Sequence, residues 1–240
     1  MIRIYLILAI NFCAFNVYAL SVSNYYLVAD DYIAPHLVPQ HEQALLEFKR
    51  EVDKVKYKGS WRFYEFDNGR HVAFSAKKNH DYEQSDQVQW QEVEEKFSED
   101  FLSTNGEVYT KTIVNQDFYL MRYIKELSFG DRSLNAAPSK NLIWLELQLH
   151  RKPVRKYMSE WVKQLKQSKS KLKFSVYSKQ YGANLPTLYI VFHCDSIVDF
   201  YEMLSQKNLI DPLRLLPQSI YQGVEEYDIS VARYLPEISY

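Results

Sequence analysis

Three histidines and two carboxylates stand where a proton could be moved or a metal held: His71, His150 and His193, with Asp30 and Glu146. Each lies in a strand-like run of alternating character, so alternation predicts which neighbours share its face. In Leu142 to His150 one face is Ile143, Leu145, Leu147 and Leu149, suited to lie under helices, and the other is Trp144, Glu146, Gln148 and His150. Thr187 to His193 divides into Leu188, Ile190 and Phe192 under helices and Tyr189, Val191 and His193 opposite. An aligned reading of the first half sets Val28, Asp30 and Tyr32 against Glu146, Gln148 and His150, and puts His71, Ala73 and Ser75 inward with Val72, Phe74 and Ala76 under helices. Polar groups gathered on a buried face need partners, so this set implies a hydrogen-bonded network, water or a ligand.

Treating the first and third strands of the second half as parallel neighbours brings His150 and His193 to one rim. Glu146 shares the face of His150, so metal or haem contact is one chemistry open to this group. Histidines bonded to water or to nearby carboxylates are the other. No HExxH or CxxC spacing singles out a metal, and no cofactor is assigned. With six glycines the chain has neither G-x-G-x-x-G nor a Walker loop, and it has no G-x-S-x-G elbow. The basic run Lys163 to Lys173 crosses a predicted helix end, where cations complement the dipole.

The elements that must position these residues recur. Asp117 to Phe129 ends in RYIKELSF and Asp228 to Tyr240 in RYLPEISY, with the same residue at the Asp, Arg, Tyr, Glu and Ser positions. The preceding segments run in parallel. The first half has a strand at Tyr25 to Ile33, a helix within His36 to Tyr57 and two strands around the turn Asp67-Asn68-Gly69. A helix from about Gln84 to Phe101, a short piece after Asn105-Gly106 and a closing strand from Asp117 follow. The second half gives a strand at Leu142 to His150, a helix at Pro153 to Gln167 and strands at Leu172 to Ser178 and Thr187 to His193. Then come a helix at Ser196 to Gln206, a short helix near Leu213 to Val224 and a closing strand from Asp228.

Each half is thus βαββαβ, the ferredoxin-like order, with helices on one face of a four-stranded sheet. The expected architecture is α+β: a first module at 20–130, a linker at 131–140 and a second module at 141–240. Two such sheets packed face to face make an intrachain α/β barrel. In element order and internal duplication the chain resembles the dimeric α/β-barrel superfamily, which includes antibiotic-biosynthesis monooxygenase-like and stress-responsive barrel proteins. The resemblance implies that each closing strand extends across to the other repeat's sheet. On such an extension Arg122 and Glu126 would point to one face, as would Arg233 and Glu237, which suits structural ion pairs.

The first residues, MIRIYLILAINFCAFNVYA, have one cation, a short apolar run and small residues at Val17 and Ala19, the pattern of a secretory signal cleaved between Ala19 and Leu20. Its removal leaves Cys194 as the remaining cysteine and no internal disulfide. The expected address is periplasmic or extracellular. A formal charge of -1 gives no electrostatic reason to bind nucleic acid, and no later stretch predicts membrane insertion.

The expected function is binding of a small apolar or aromatic ligand, or of a partner, in the barrel interior or a groove, by a monomeric pseudo-dimer able to pair again. The ligand residues would be Asp30, Tyr32, His71, Trp144, Glu146, Gln148, His150, Tyr189 and His193. The alternatives are a monooxygenase-like enzyme, in which His71, His150, His193 or Asp30 moves a proton, and a haem-handling barrel. The 20 tyrosines and 13 phenylalanines suit an aromatic-walled site as well as a core.

Overall fold

The computed structural model describes residues 24–55, 59–77, 91, 93–130, 133–134, 137–150, 154–181 and 184–240. The signal segment and its cleavage position, and the start of the helix expected from Gln84, lie outside the described residues. Among the described residues eight strands are formed: β1 (Tyr25–Ile33), β2 (Arg62–Phe66), β3 (Arg70–Lys77), β4 (Ile113–Tyr123), β5 (Asn141–Leu149), β6 (Phe174–Lys179), β7 (Thr187–Cys194) and β8 (Val224–Leu235). The α-helices followed through the described residues are α1 (Val38–Lys54), α2 (Glu99–Thr112), α3 (Val154–Gln167), α4 (Ile197–Gln206) and the single turn α5 (Gln218–Tyr221). In hydrogen-bonded order the strands run β1-β3-β2-β8-β5-β7-β6-β4, and the order closes as a barrel. No helix among the described residues is long and apolar enough to cross a membrane.

Two compact units divide the chain: residues up to Tyr119 together with Leu235–Tyr240, and residues Leu120–Tyr234. In the first unit β3 pairs antiparallel with β1 and with β2, and the β2–β3 turn uses Gly69 at φ +83, a backbone conformation that glycine adopts without strain. Helix α1 buries His41, Ala44, Leu45 and Val52, a stripe at helical spacing. Helix α2 begins at Ser98, whose side chain accepts from the Phe101 N–H, with Glu99 and Asp100 at the positive end of the dipole. It continues through Asn105-Gly106, where a break was expected, because the Asn105 amide donates to the Ala44 carbonyl of α1 (2.8 Å) and so has its partner inside the helix pair.

In the second unit β5 lies between β7 and β8, and β6 joins β7 to β4. Ile143, Leu145 and Leu147 of β5 and Leu188, Ile190 and Phe192 of β7 form one core with Met158, Trp161 and Val162 of α3 and Phe200 and Leu204 of α4. Trp161 stacks on Phe174 with centroids 4.8 Å apart. Complete burial of side chains of this size stabilises by about 1.5–3 kcal/mol each. The helix-facing side chains of β5 and β7 are those alternation predicts.

The repeated tails take one conformation twice, and it is not an extended one. Strand β4 stops at Tyr123 and a 3-10 turn covers Lys125–Leu127, while β8 stops at Leu235 and a turn follows. The expected same-face pairs of Arg122 with Glu126 and Arg233 with Glu237 are therefore not formed by a continuing strand, and Glu126 instead meets Arg155 at 3.2 Å. Ser128 Oγ donates to the Ile124 carbonyl (2.9 Å) and accepts from the Val176 N–H (2.9 Å). Ser239 Oγ donates to the Leu235 carbonyl (2.7 Å) and accepts from the Phe63 N–H (2.9 Å). Phe129 then exchanges backbone bonds with Phe174, and Tyr240 with Trp61, all at 2.8–2.9 Å. The two tails are alike in sequence because each serine closes a turn and holds a strand of the same kind. Gly130, at φ +89, follows the first tail where a Cβ would come within 2.8 Å of Lys173.

Candidate functional site

The helix-free face of the second unit collects most of the expected residues. The Trp144 ring lies 5.2 Å from that of Tyr189, and Tyr123 lies 5.5 Å from Tyr177. Tyr177 and Tyr189 are register partners on β6 and β7, so the four rings occupy one face. Glu146 sits opposite Tyr189 on one side and Asp228 on the other, and Gln148 opposite Thr187 and Glu226. Trp144 is 2% exposed, Tyr189 1% and Tyr177 0%. The Tyr177 hydroxyl accepts from the Leu134 N–H (2.9 Å), which fixes that ring.

His193 belongs to the same face, opposite Leu142. Its two ring nitrogens meet Ser139 Oγ (3.0 Å) and Ser175 Oγ (2.7 Å). His150 does not join it. Strands β5 and β7 are antiparallel: the α3 crossover returns β6 in the sense of β5, and the hairpin then reverses β7. His193 therefore lies at the start of β5, while His150 follows its end, about 27 Å away at ~3.4 Å per residue. The His150 side chain is 53% exposed and reaches Glu225 at 3.7 Å.

In the first unit Asp30 and Tyr32 do face away from the helices. Asp30 receives Arg70 Nη1 at 3.0 Å, a pair almost wholly buried, and the Arg70 guanidinium lies 4.7 Å from the Phe66 ring and 5.9 Å from that of Tyr32. Tyr32 is 40% exposed. The expectation for β3 is reversed. Asp30 is in register with Val72 and Asp31 with His71, so Val72 and Phe74 take the helix-free face while His71, Ala73 and Ser75 turn toward α1 and α2.

His71 there joins a polar group between sheet and helices. Its Nε2 is 3.3 Å from Glu42 of α1, its ring is 5.5 Å from that of His41, and Glu65 is its register partner on β2. His41 Nδ1 pairs with Thr112 Oγ1 (2.8 Å) and its ring stacks on Tyr109. Burial, with His71 adding to it, pushes the His41 pKa down to about 3. Asp31 accepts from the Tyr109 hydroxyl and the Gln116 amide, both at 2.5 Å. Burial outweighs those bonds and pushes its carboxyl up to about 6. Sequence reasoning missed His41, Glu42, Glu65 and Asp31. The usable signal was His41 on the apolar stripe of α1, where a buried imidazole must find a partner.

No family profile and no curated protein matches this sequence. Solved structures do. An anthrone oxidase-like protein shares 9% identity at a TM-score of 0.55, over 90% of this chain and 92% of that one. A chlorite dismutase mutant from Candidatus Nitrospira defluvii, in complex with cyanide, shares 11% at 0.55 over 91% and 94%. A candidate monooxygenase from Lactobacillus acidophilus NCFM shares 8% at 0.52 over 88% and 93%.

Haem, the cofactor of one reading, finds no open axial nitrogen on the helix-free face of the second unit at His41, His71, His150 or His193. An axial ligand needs an imidazole nitrogen open to the site. Both nitrogens of His193 are engaged, His41 and His71 face helices, and His150 lies past the strand end. What similarity and geometry establish together is architecture: the chain has the dimeric α/β-barrel fold, built as two ferredoxin-like repeats in one polypeptide.

Proposed function

We propose that this is an exported protein that binds a small aromatic molecule against the helix-free face of its second repeat. The observation that carries the reading is the wall of Trp144, Tyr189, Tyr177 and Tyr123 beside Glu146 and its register partner Asp228. Aromatic faces supply stacking area and the carboxylate edge supplies acceptors for a phenol or an amine, the mix that small-molecule sites use. His193, held by Ser139 and Ser175, is a polar end to that wall.

A second reading, a monooxygenase-like enzyme, draws support from the pairing of Glu146 with Asp228 and from similarity to an anthrone oxidase-like protein. In it a carboxylate takes the proton from an acidic O–H or C–H of the bound aromatic, leaving an electron-rich anion for dioxygen to oxidise.

The test is a panel of polycyclic phenols and anthrones, read by melting temperature, Trp fluorescence and oxygen uptake on the secreted form. A ligand-dependent rise in melting temperature that Trp144→Ala abolishes supports binding. Oxygen uptake lost in Glu146→Gln with binding retained adds the enzyme. No shift across the panel overturns both. Intact mass of the secreted protein tests export, with Leu20 as the expected first residue.

A further inference from the structure

We propose that Glu42, Glu65 and His71 of the first repeat form a binding site for a divalent first-row transition metal, with zinc as its natural probe. One ligand atom from each of the three lies within 4.8 Å of the others. They come from three elements, α1, β2 and β3, with Glu65 and His71 held opposite each other by strand register and Glu42 brought over them by the helix. His71 Nε2 and Glu42 Oε1 stand 3.3 Å apart. That is long for a charge-assisted hydrogen bond, ~2.7–2.9 Å, and close to the ~3.3–3.4 Å edge of a tetrahedron whose metal–ligand bonds are ~2.0–2.1 Å.

The surroundings of these carboxylates are polar and incompletely paired. Among the described residues, buried His71, 1% exposed, finds no hydrogen-bond partner for its Nδ1, and neighbouring His41, fully buried, finds none for its Nε2. Two such atoms on rings 5.5 Å apart are unusual in a packed interior, where nearly every buried polar atom is satisfied. A cation at the carboxylates would bond His71 Nε2 in place of its 3.3 Å contact with Glu42, with Nδ1 left as the outer nitrogen of the ring, and one nitrogen with two carboxylate oxygens is a donor set such metals accept. The Glu42 side chain, 34% exposed, leaves an entry path and room for water in the fourth position.

The site is independent of the aromatic face of the second repeat. Its test uses tag-free mature protein stripped with chelator and titrated with zinc chloride alone, followed by cobalt(II) as a spectroscopic probe. The expected result is one equivalent bound, a raised melting temperature and visible cobalt absorption. Glu42→Gln, a half-exposed change that the fold tolerates, should weaken binding at least tenfold, as should Glu65→Gln, while His150→Gln leaves it unchanged. Absence of binding in the stripped protein, or zinc affinity and cobalt spectrum unaltered in both glutamate variants, would overturn the proposal.

Discussion

Replacing Ser239 with alanine removes one hydroxyl and should cost far more than a surface change. The Ser239 Oγ accepts from the Phe63 N–H at 2.9 Å and donates to the Leu235 carbonyl at 2.7 Å, in surroundings where the residue is 7% exposed. Leaving a buried N–H without an acceptor costs about 1–3 kcal/mol, so roughly 2 kcal/mol is expected, or about thirtyfold in the unfolding equilibrium. Ser128 holds the Val176 N–H and the Ile124 carbonyl in the same geometry, so Ser128→Ala should cost a similar amount. Urea unfolding followed by tryptophan fluorescence and far-ultraviolet circular dichroism measures both. If the repeats unfold in separate steps, Ser239→Ala should move the step seen by Trp61 and Ser128→Ala the step seen by Trp161. The control is Ser168→Ala, whose hydroxyl caps a carbonyl at an exposed helix end and should stay within about 0.5 kcal/mol. If either tail serine costs no more than the control, the account of the repeated tails is wrong.

Two further outcomes follow from burial. The Asp31 carboxyl, raised from 3.8 to about 6, binds a proton in the folded state between those values that the unfolded chain has lost, so its contribution favours folding as pH falls from about 6 to 4 and is lost as pH rises. His41, lowered from 6.5 to about 3, acts in the opposite sense over an overlapping range and masks the gain. The stability of the wild type minus that of Asp31→Asn should therefore rise by about 2 kcal/mol between pH 7 and pH 4, in urea melts with chelator present, and a flat difference would refute the assignment. Cys194, half-buried beside Asp195 and with its thiol pushed up to about 11, should react with a disulfide reagent at pH 8 at least a hundredfold more slowly in the native than in the urea-unfolded protein.

Much of the architecture was legible because periodicity and repetition are properties of the sequence itself. Ile143, Leu145 and Leu147, with Leu188, Ile190 and Phe192, are bulky on one side only, and both sets face the helices. Strand β3 offered no such contrast. His71, Ala73 and Ser75 are small or half-polar, Val72 and Phe74 are apolar, and almost the whole strand is buried, so alternation gave a period without a direction. Asp30 and Asp31 posed the same choice, resolved by Arg70 on one side and Tyr109 with Gln116 on the other. The separation of His150 from His193 turned on strand sense, which follows from connectivity: a crossover preserves direction and a hairpin reverses it. The polar group around His71 needed three elements to meet, and no local spacing encodes that.

The exchange of tails bears on how the chain is made. Trp61 donates its indole N–H to the Ile238 carbonyl across 177 positions, so the first repeat acquires its last partners only when nearly everything after it has been synthesised. At ~5–20 residues per second, that wait is on the order of ten to thirty seconds. Throughout it the Trp61 backbone and the Phe63 N–H form an unfinished strand edge, the kind of surface that pairs with any suitable segment. The segment it is shaped for is carried by every copy of the protein. Crowded nascent or refolding chains can therefore trade tails, and the device that closes one molecule is also its route to a swapped pair.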